Sequence, residues 1–207
     1  MILTAGQFKK ISIRGRVAYA ICCLENVLYF NDIKGAGWNW YLSKLWWYTE
    51  LPTKSDPNIG NCYQAERWHS VIRELSPRYI NDPKTTYETL ISDAKVFYKE
   101  DLPSKTEYLM LKEAFSQSNP VIDEIASIIY RLGCCELWCA IVSYSKSTLD
   151  YLQNILDIML KHKIPLPSIK PFEQYLFHKQ GWDYDLHGFG EMFDGTQYSK
   201  FVRKIKD

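Results

Sequence analysis

Cysteine, histidine and carboxylate are the side chains of this chain that could cut a bond or hold a metal, and their spacing is the first test of either. The six cysteines are Cys22, Cys23, Cys62, Cys134, Cys135 and Cys139. A zinc site takes Cys pairs about two to four residues apart, often on turns, with two further ligands. Adjacent cysteines on one helix point about 100° apart, which chelates poorly. Cys135 and Cys139 do share a helical face. These pairs sit in apolar runs, so the favoured reading is small buried hydrophobes, with a redox or metal role as the alternative. The histidines are His69, His162, His178 and His187, and none forms an HxxxH or HExxH pattern. A Cys–His pair assembled across the fold stays open, but nothing selects one pair over another. Asp183, Asp185, Glu191 and Asp194 lie close together among Trp182, Tyr184, Phe189 and Phe193. Three readings fit them: a solvated loop pinned by its aromatics, an acidic docking surface for a basic protein, or paired carboxylates. EF-hand spacing is absent. No catalytic, cofactor-binding or metal-ligating residue is assigned on these patterns.

Two further clusters are better suited to contact than to chemistry. Trp38, Trp40, Trp46 and Trp47 make the densest aromatic group. Trp38, Leu42 and Leu45 share one helical face, whereas Trp40 and Trp47, seven apart, share another. Both faces are buried if this helix lies between two layers. Otherwise Trp40 and Trp47 are partner anchors, since Trp is enriched where binding energy concentrates. Arg14-Gly15-Arg16, with Lys9-Lys10 upstream, could touch phosphate. The favoured reading is structural: ion pairing with Glu25 or with the acidic C-terminal loop, which would pin both chain ends.

The elements that must position these residues are helical. Val17, Ile21, Leu24 and Leu28 predict an amphipathic helix near 14–32, and a second is predicted near 38–51, stopped by Pro52. Helices follow at 63–75 and 86–99. Ser104 with Glu107 is a capping-box pattern opening a helix to about Gln117. Asn119-Pro120 is a helix start, with Ile122, Ile125 and Ile129 behind it, and Gly133 divides that segment from Cys134–Val142. Ser147 caps a helix carrying Leu149, Leu152, Leu156 and Met159, which Ile164-Pro165-Leu166-Pro167 ends. A last short helix is expected over Ile169 to Phe177. Residues 181–207 read as an irregular segment packed on the bundle, closing on a basic tail from Lys200 to Lys206. The expected fold is a single all-α domain over 1–207, an irregular bundle of seven or eight helices.

Composition bounds the function. The 207 residues are 46% hydrophobic and 15% aromatic, enough for a large core. Net charge is +1, from 25 basic and 24 acidic residues, which argues against bulk nucleic-acid binding. Asp123, Glu124, Arg131 and Glu136 interrupt the most apolar stretch, Val121 to Val142, so a membrane span is not expected. The start, through Lys9-Lys10, has no apolar signal-peptide core, so the expected compartment is the cytosol, with reduced thiols.

Several segments, in order, resemble one family. They are the run from Arg14 to Glu25, Trp38-Asn39-Trp40 with Leu45-Trp46, and Ile122-Asp123-Glu124-Ile125 with Gly133 and Glu136-Leu137. Ser147-Thr148-Leu149, Ile164 to Pro167, and Gly188 to Gly195 complete the set. The chain is similar to all-α immunity proteins of bacterial polymorphic toxin and contact-dependent growth-inhibition systems. The resemblance implies a non-enzymatic cytosolic antidote whose partner is a cognate toxin domain, often a nuclease, blocked at its active site or its access to a target. Antidotes of nucleases are often acidic, and this chain departs from that by being near neutral. The candidate contact residues are Trp40 and Trp47 as anchors, with Asp183, Asp185 and Glu191 as the electrostatic part. The alternatives are a helical adaptor with another protein partner, or an enzyme assembled from Cys, His and carboxylates.

Overall fold

Eight α-helices form among the residues that the computed structural model describes, which are 3–51, 62–93, 100–136, 144–177 and 188–202, with backbone alone for 62–66 and 93. They are α1 (Ile13–Phe30), α2 (Ala36–Trp46), α3 (Cys62–Glu74), α4 (Pro77–Ile80), α5 (Tyr87–Asp93), α6 (Lys105–Ser116), α7 (Pro120–Cys134) and α8 (Lys146–Lys161). The all-α expectation holds. No strand is among these elements, only an antiparallel bridge between Ile11 and Leu176.

Side-chain oxygens set several of the starts. Asn119 Oδ1 accepts from the amides of Val121 and Ile122, and Pro120, which has no amide hydrogen to satisfy, takes the first helical position of α7. Ser104 and Glu107 form the expected reciprocal capping box at α6. Ser76-Pro77 starts α4, a single turn that hydrophobic periodicity cannot register.

Five expectations need correction. The α8 cap is Ser145, not Ser147. Ser145 takes a left-handed backbone, φ 52°, that brings its Oγ to the Thr148 amide, while Ser147 donates to Glu136 instead. The second helix gives way at Trp47 to a 3-10 turn, Trp47–Glu50. The helix expected over 169–177 is only a 3-10 turn at Lys170–Phe172, because the chain then extends to pair Leu176 with Ile11. Finally, α1 is not amphipathic: every residue from Ile13 to Leu28 is buried, so its stripe has no wet counterpart. The proposed break at Gly133 is not seen, α7 running through it to Cys134. Residues 94–99 and 137–143 lie outside the described set.

The packing follows from α1 being wrapped. α7 and α8 pack on each other and both on α1; α2 packs against α6, and α3 against α7. Their buried residues form a core that includes Trp38, Trp46, Trp68 and Phe115. Residues 188–202 lie along the remaining side of α1, and Cys22 Sγ lies 3.9 Å from the Tyr198 carbonyl. No described helix is long and apolar enough to cross a membrane.

Candidate functional site

Polar groups inside a wholly buried helix must find partners there or cost several kcal/mol each. Arg14 and Arg16, at one end of α1, find backbone oxygens. Arg14 Nη1 donates to the Tyr48 carbonyl at 2.9 Å and Nε to the Gly190 carbonyl at 3.2 Å. Arg16 donates to the carbonyls of Phe8 (3.2 Å), Lys9 (3.0 Å) and Tyr144 (2.7 Å) and to Thr148 Oγ1 (2.6 Å). Burial pulls both guanidinium groups down to about 10, so they remain cations at neutral pH. The expected ion pairing with Glu25 or the acidic C-terminal loop is replaced by hydrogen bonds to backbone carbonyls, one of them Gly190 in that loop. Only the fork of a guanidinium can gather so many acceptors at once.

Glu25 sits near the other end of α1 and is 1% exposed. Its carboxylate accepts from Trp46 Nε1 (2.9 Å), Ser199 Oγ (2.5 Å) and the Lys200 amide (2.7 Å). Burial raises its pKa, against the lowering effect of these donors. Residues 199–200 are thereby tied to α1.

Immediately beyond, α1 ends in two rings left in water: Tyr29 is 63% and Phe30 56% exposed. Tyr29 forms one side of an open groove of about 640 Å³, completed by Lys34, Gly35, Asn39, Ser199, Lys200 and Phe201. Lys200 Nζ lies 5.4 Å from the Tyr29 ring centre and donates to Asn26 Oδ1 at 2.5 Å. Lys34 pairs with Asp32 at 2.7 Å, both side chains well exposed. Among the described residues no carboxylate lines this groove.

Trp40 and Trp47 are both half-buried and engaged within the molecule. Trp40 Nε1 donates to Glu107 Oε1 at 2.8 Å, with the Lys44 ammonium 4.9 Å from its ring centre. The Trp47 ring carries the Arg67 guanidinium at 5.6 Å. The two face different helices, α6 and α3. Glu191 is exposed. Asp183 and Asp185 lie outside the described residues, as do His178, His187 and Cys139. Asp194 is a turn cap, its Oδ1 accepting from the Thr196 amide at 3.0 Å.

The described thiols are free, and burial pushes those of Cys22, Cys23 and Cys134 well up and that of Cys135 to about 11. Thiolate is the form that attacks or ligates, so these sites suit packing. His69 Nε2 meets the Tyr130 hydroxyl at 2.5 Å. Among the described residues no three His, Cys, Asp or Glu side chains converge as a metal site. Periodicity passes over Tyr29, Phe30 and Lys34 because they fall past the end of the Val17–Leu28 stripe. The available signal is two bulky rings directly before the polar turn Asn31-Asp32. Comparison with family models, with curated proteins and with solved structures finds no match for this chain.

Proposed function

We propose that the protein is an antidote: it binds a cognate toxin protein and blocks its active site or its access to a target. The resemblance to immunity proteins supplies the class. The observation that supports a binding role is the pair of solvent-exposed rings, Tyr29 and Phe30, at the end of a helix otherwise buried throughout. Aromatic rings concentrate at the centres of protein interfaces, because they bury large area with little loss of side-chain freedom. The described thiols are protonated and largely buried, and Arg14, Arg16 and Glu25 hold backbone together. The anchoring role therefore moves from Trp40 and Trp47, whose polar or ring faces are taken by Glu107, Lys44 and Arg67, to Tyr29 and Phe30. A stable complex would cover roughly 1,600 Å² in total, with these rings near its centre.

The test is co-expression with the adjoining reading frame. Growth arrest by that frame alone, relief by this chain, and recovery of the two as a stoichiometric complex are expected. A harmless neighbour, or relief without a complex, would overturn the reading. Tyr29→Ala with Phe30→Ala should weaken the complex at least about tenfold, since interface aromatics commonly contribute about 2 kcal/mol or more each.

A further inference from the structure

We propose that the groove between the end of α1, the start of α2 and residues 199–201 receives an acidic segment of the partner protein, whose apolar side chains rest on Tyr29 and Phe201. This rests on the antidote reading and gives the partner a chemistry. Charge carries the argument. Among the described residues seven line the groove; two of these are lysines and none is acidic. The first turn of α2 has no acidic residue, and Gly35 at its cap supplies no side-chain oxygen, so the start of α2 adds positive field to the lysines. Among the described residues Lys34 pairs with Asp32, both side chains mostly in water, so an incoming carboxylate competes with a weak pair. Lys200 contacts a neutral amide and an aromatic ring, and its ammonium also acts on the buried Glu25 carboxylate.

The opposing charge is Glu25, beneath the groove. It is buried, and three donors already satisfy it, so it is not open to an occupant of the groove. Its bonds to Ser199 and to the Lys200 amide hold one wall of the groove in place before a partner arrives, which lowers the ordering cost of binding. Tyr29 and Phe201 contribute apolar area between the charges, so a run of carboxylates alone would leave that area wet. The surface fits an acidic segment carrying an aromatic or aliphatic residue.

The test uses the full chain and a labelled octapeptide of six glutamates, one phenylalanine and one leucine, followed by fluorescence anisotropy at low salt. The expected result is saturable binding that Lys34→Glu with Lys200→Glu weakens at least about tenfold, that Lys34→Gln with Lys200→Gln weakens less, and that Lys161→Glu on exposed α8 leaves unchanged. Circular dichroism confirms that the variants are folded. No binding by the wild type, or equal binding by the groove variants, would overturn the proposal. So would tighter groove-dependent binding of a single-stranded oligonucleotide, which would assign the groove to nucleic acid. The outcome is independent of the co-expression experiment: a confirmed toxin complex with an indifferent groove sinks only this inference, whereas groove binding without a toxin sinks only the antidote reading.

Discussion

Glu25 is a carboxylate deep in a dry helix, held by donors from Trp46, Ser199 and Lys200, and its pKa is raised because burial outweighs those donors. A carboxyl whose folded pKa exceeds its unfolded value stabilises the fold most below the unfolded value, and that contribution is lost as pH rises through the folded one. Lowering the pH from neutrality toward the ordinary glutamate value of 4.5 should therefore stabilise the native chain relative to Glu25→Gln. Thermal melts of both proteins across that window check this, and parallel curves would show that Glu25 titrates normally. Such residue-level roles are poorly legible in sequence. By helical spacing Arg14, three before Val17, and Glu25, four after Ile21, lie beside the stripe of Val17, Ile21, Leu24 and Leu28, while Arg16 lies off it. The two arginines are buried because carbonyls from distant segments meet them, and Glu25 because donors from Trp46, Ser199 and Lys200 do, and no local pattern encodes those partners. The candidate site divides the same way. The aromatic richness around Trp40 and Trp47 is plain, but the partners that occupy them, Glu107 and Arg67, lie 67 and 20 positions further along the chain.

Elements were legible where a side chain writes their boundary. Asn119-Pro120 and Ser104 with Glu107 mark α7 and α6 because the cap oxygen and the amides it satisfies are neighbours in sequence. The 3-10 turn after Trp46 and the extended stretch at Leu176 were not, since tertiary pairing decides them. Contact between elements depends on close approach, and α2 meets α6 at Gly37. A Cβ there would lie 2.4 Å from the Met110 carbonyl oxygen and 2.7 Å from Ala114 Cβ. Backbone cannot rotate aside as a side chain can, so Gly37→Ala must part the two helices. Overpacking of this kind costs about 1–3 kcal/mol. At roughly 2–4 °C per kcal/mol for a chain of this size, the melting temperature should fall by several degrees. Gly6→Ala, whose added carbon meets nothing nearer than Thr4 Oγ1 at 3.6 Å, is the control and should melt with the native protein. Equal melting of the two variants would show that α2 and α6 are not locked together at this point.

At the scale of the whole molecule, the C-terminal segment completes α1. A helix leaves its first amides without internal partners. Here the Ser12 amide donates to the Tyr175 carbonyl at 2.7 Å, Ile13 to Gly188 at 2.7 Å and Arg14 to Phe189 at 3.2 Å, while Gly15 donates to Ser12 Oγ at 3.2 Å. The Arg14 side chain reaches Gly190, and Glu25, three turns on, takes Ser199 and Lys200. The segment thus serves both ends of the central helix, and it must pass close: Gly190 has φ +78°, and a Cβ on it would lie 2.4 Å from Ser12 Cβ. A chain ending at Phe177 would leave two helix amides and an arginine donor without their acceptors, and the Glu25 carboxylate without two of its donors. Each unmet buried group costs about 1–3 kcal/mol, and the sum approaches the 5–15 kcal/mol that typically separates folded from unfolded chains. The truncated protein should therefore lose its cooperative thermal transition and its near-ultraviolet circular dichroism. Gly190→Ala, which perturbs the same contact with every partner present, should keep the transition and lower its midpoint. A truncated chain that melts cooperatively within a few degrees of the native one would show that α1 is satisfied without the segment. The groove wall at Ser199 to Phe201 would then be an appendage rather than part of the fold, and partner binding would be free to displace it.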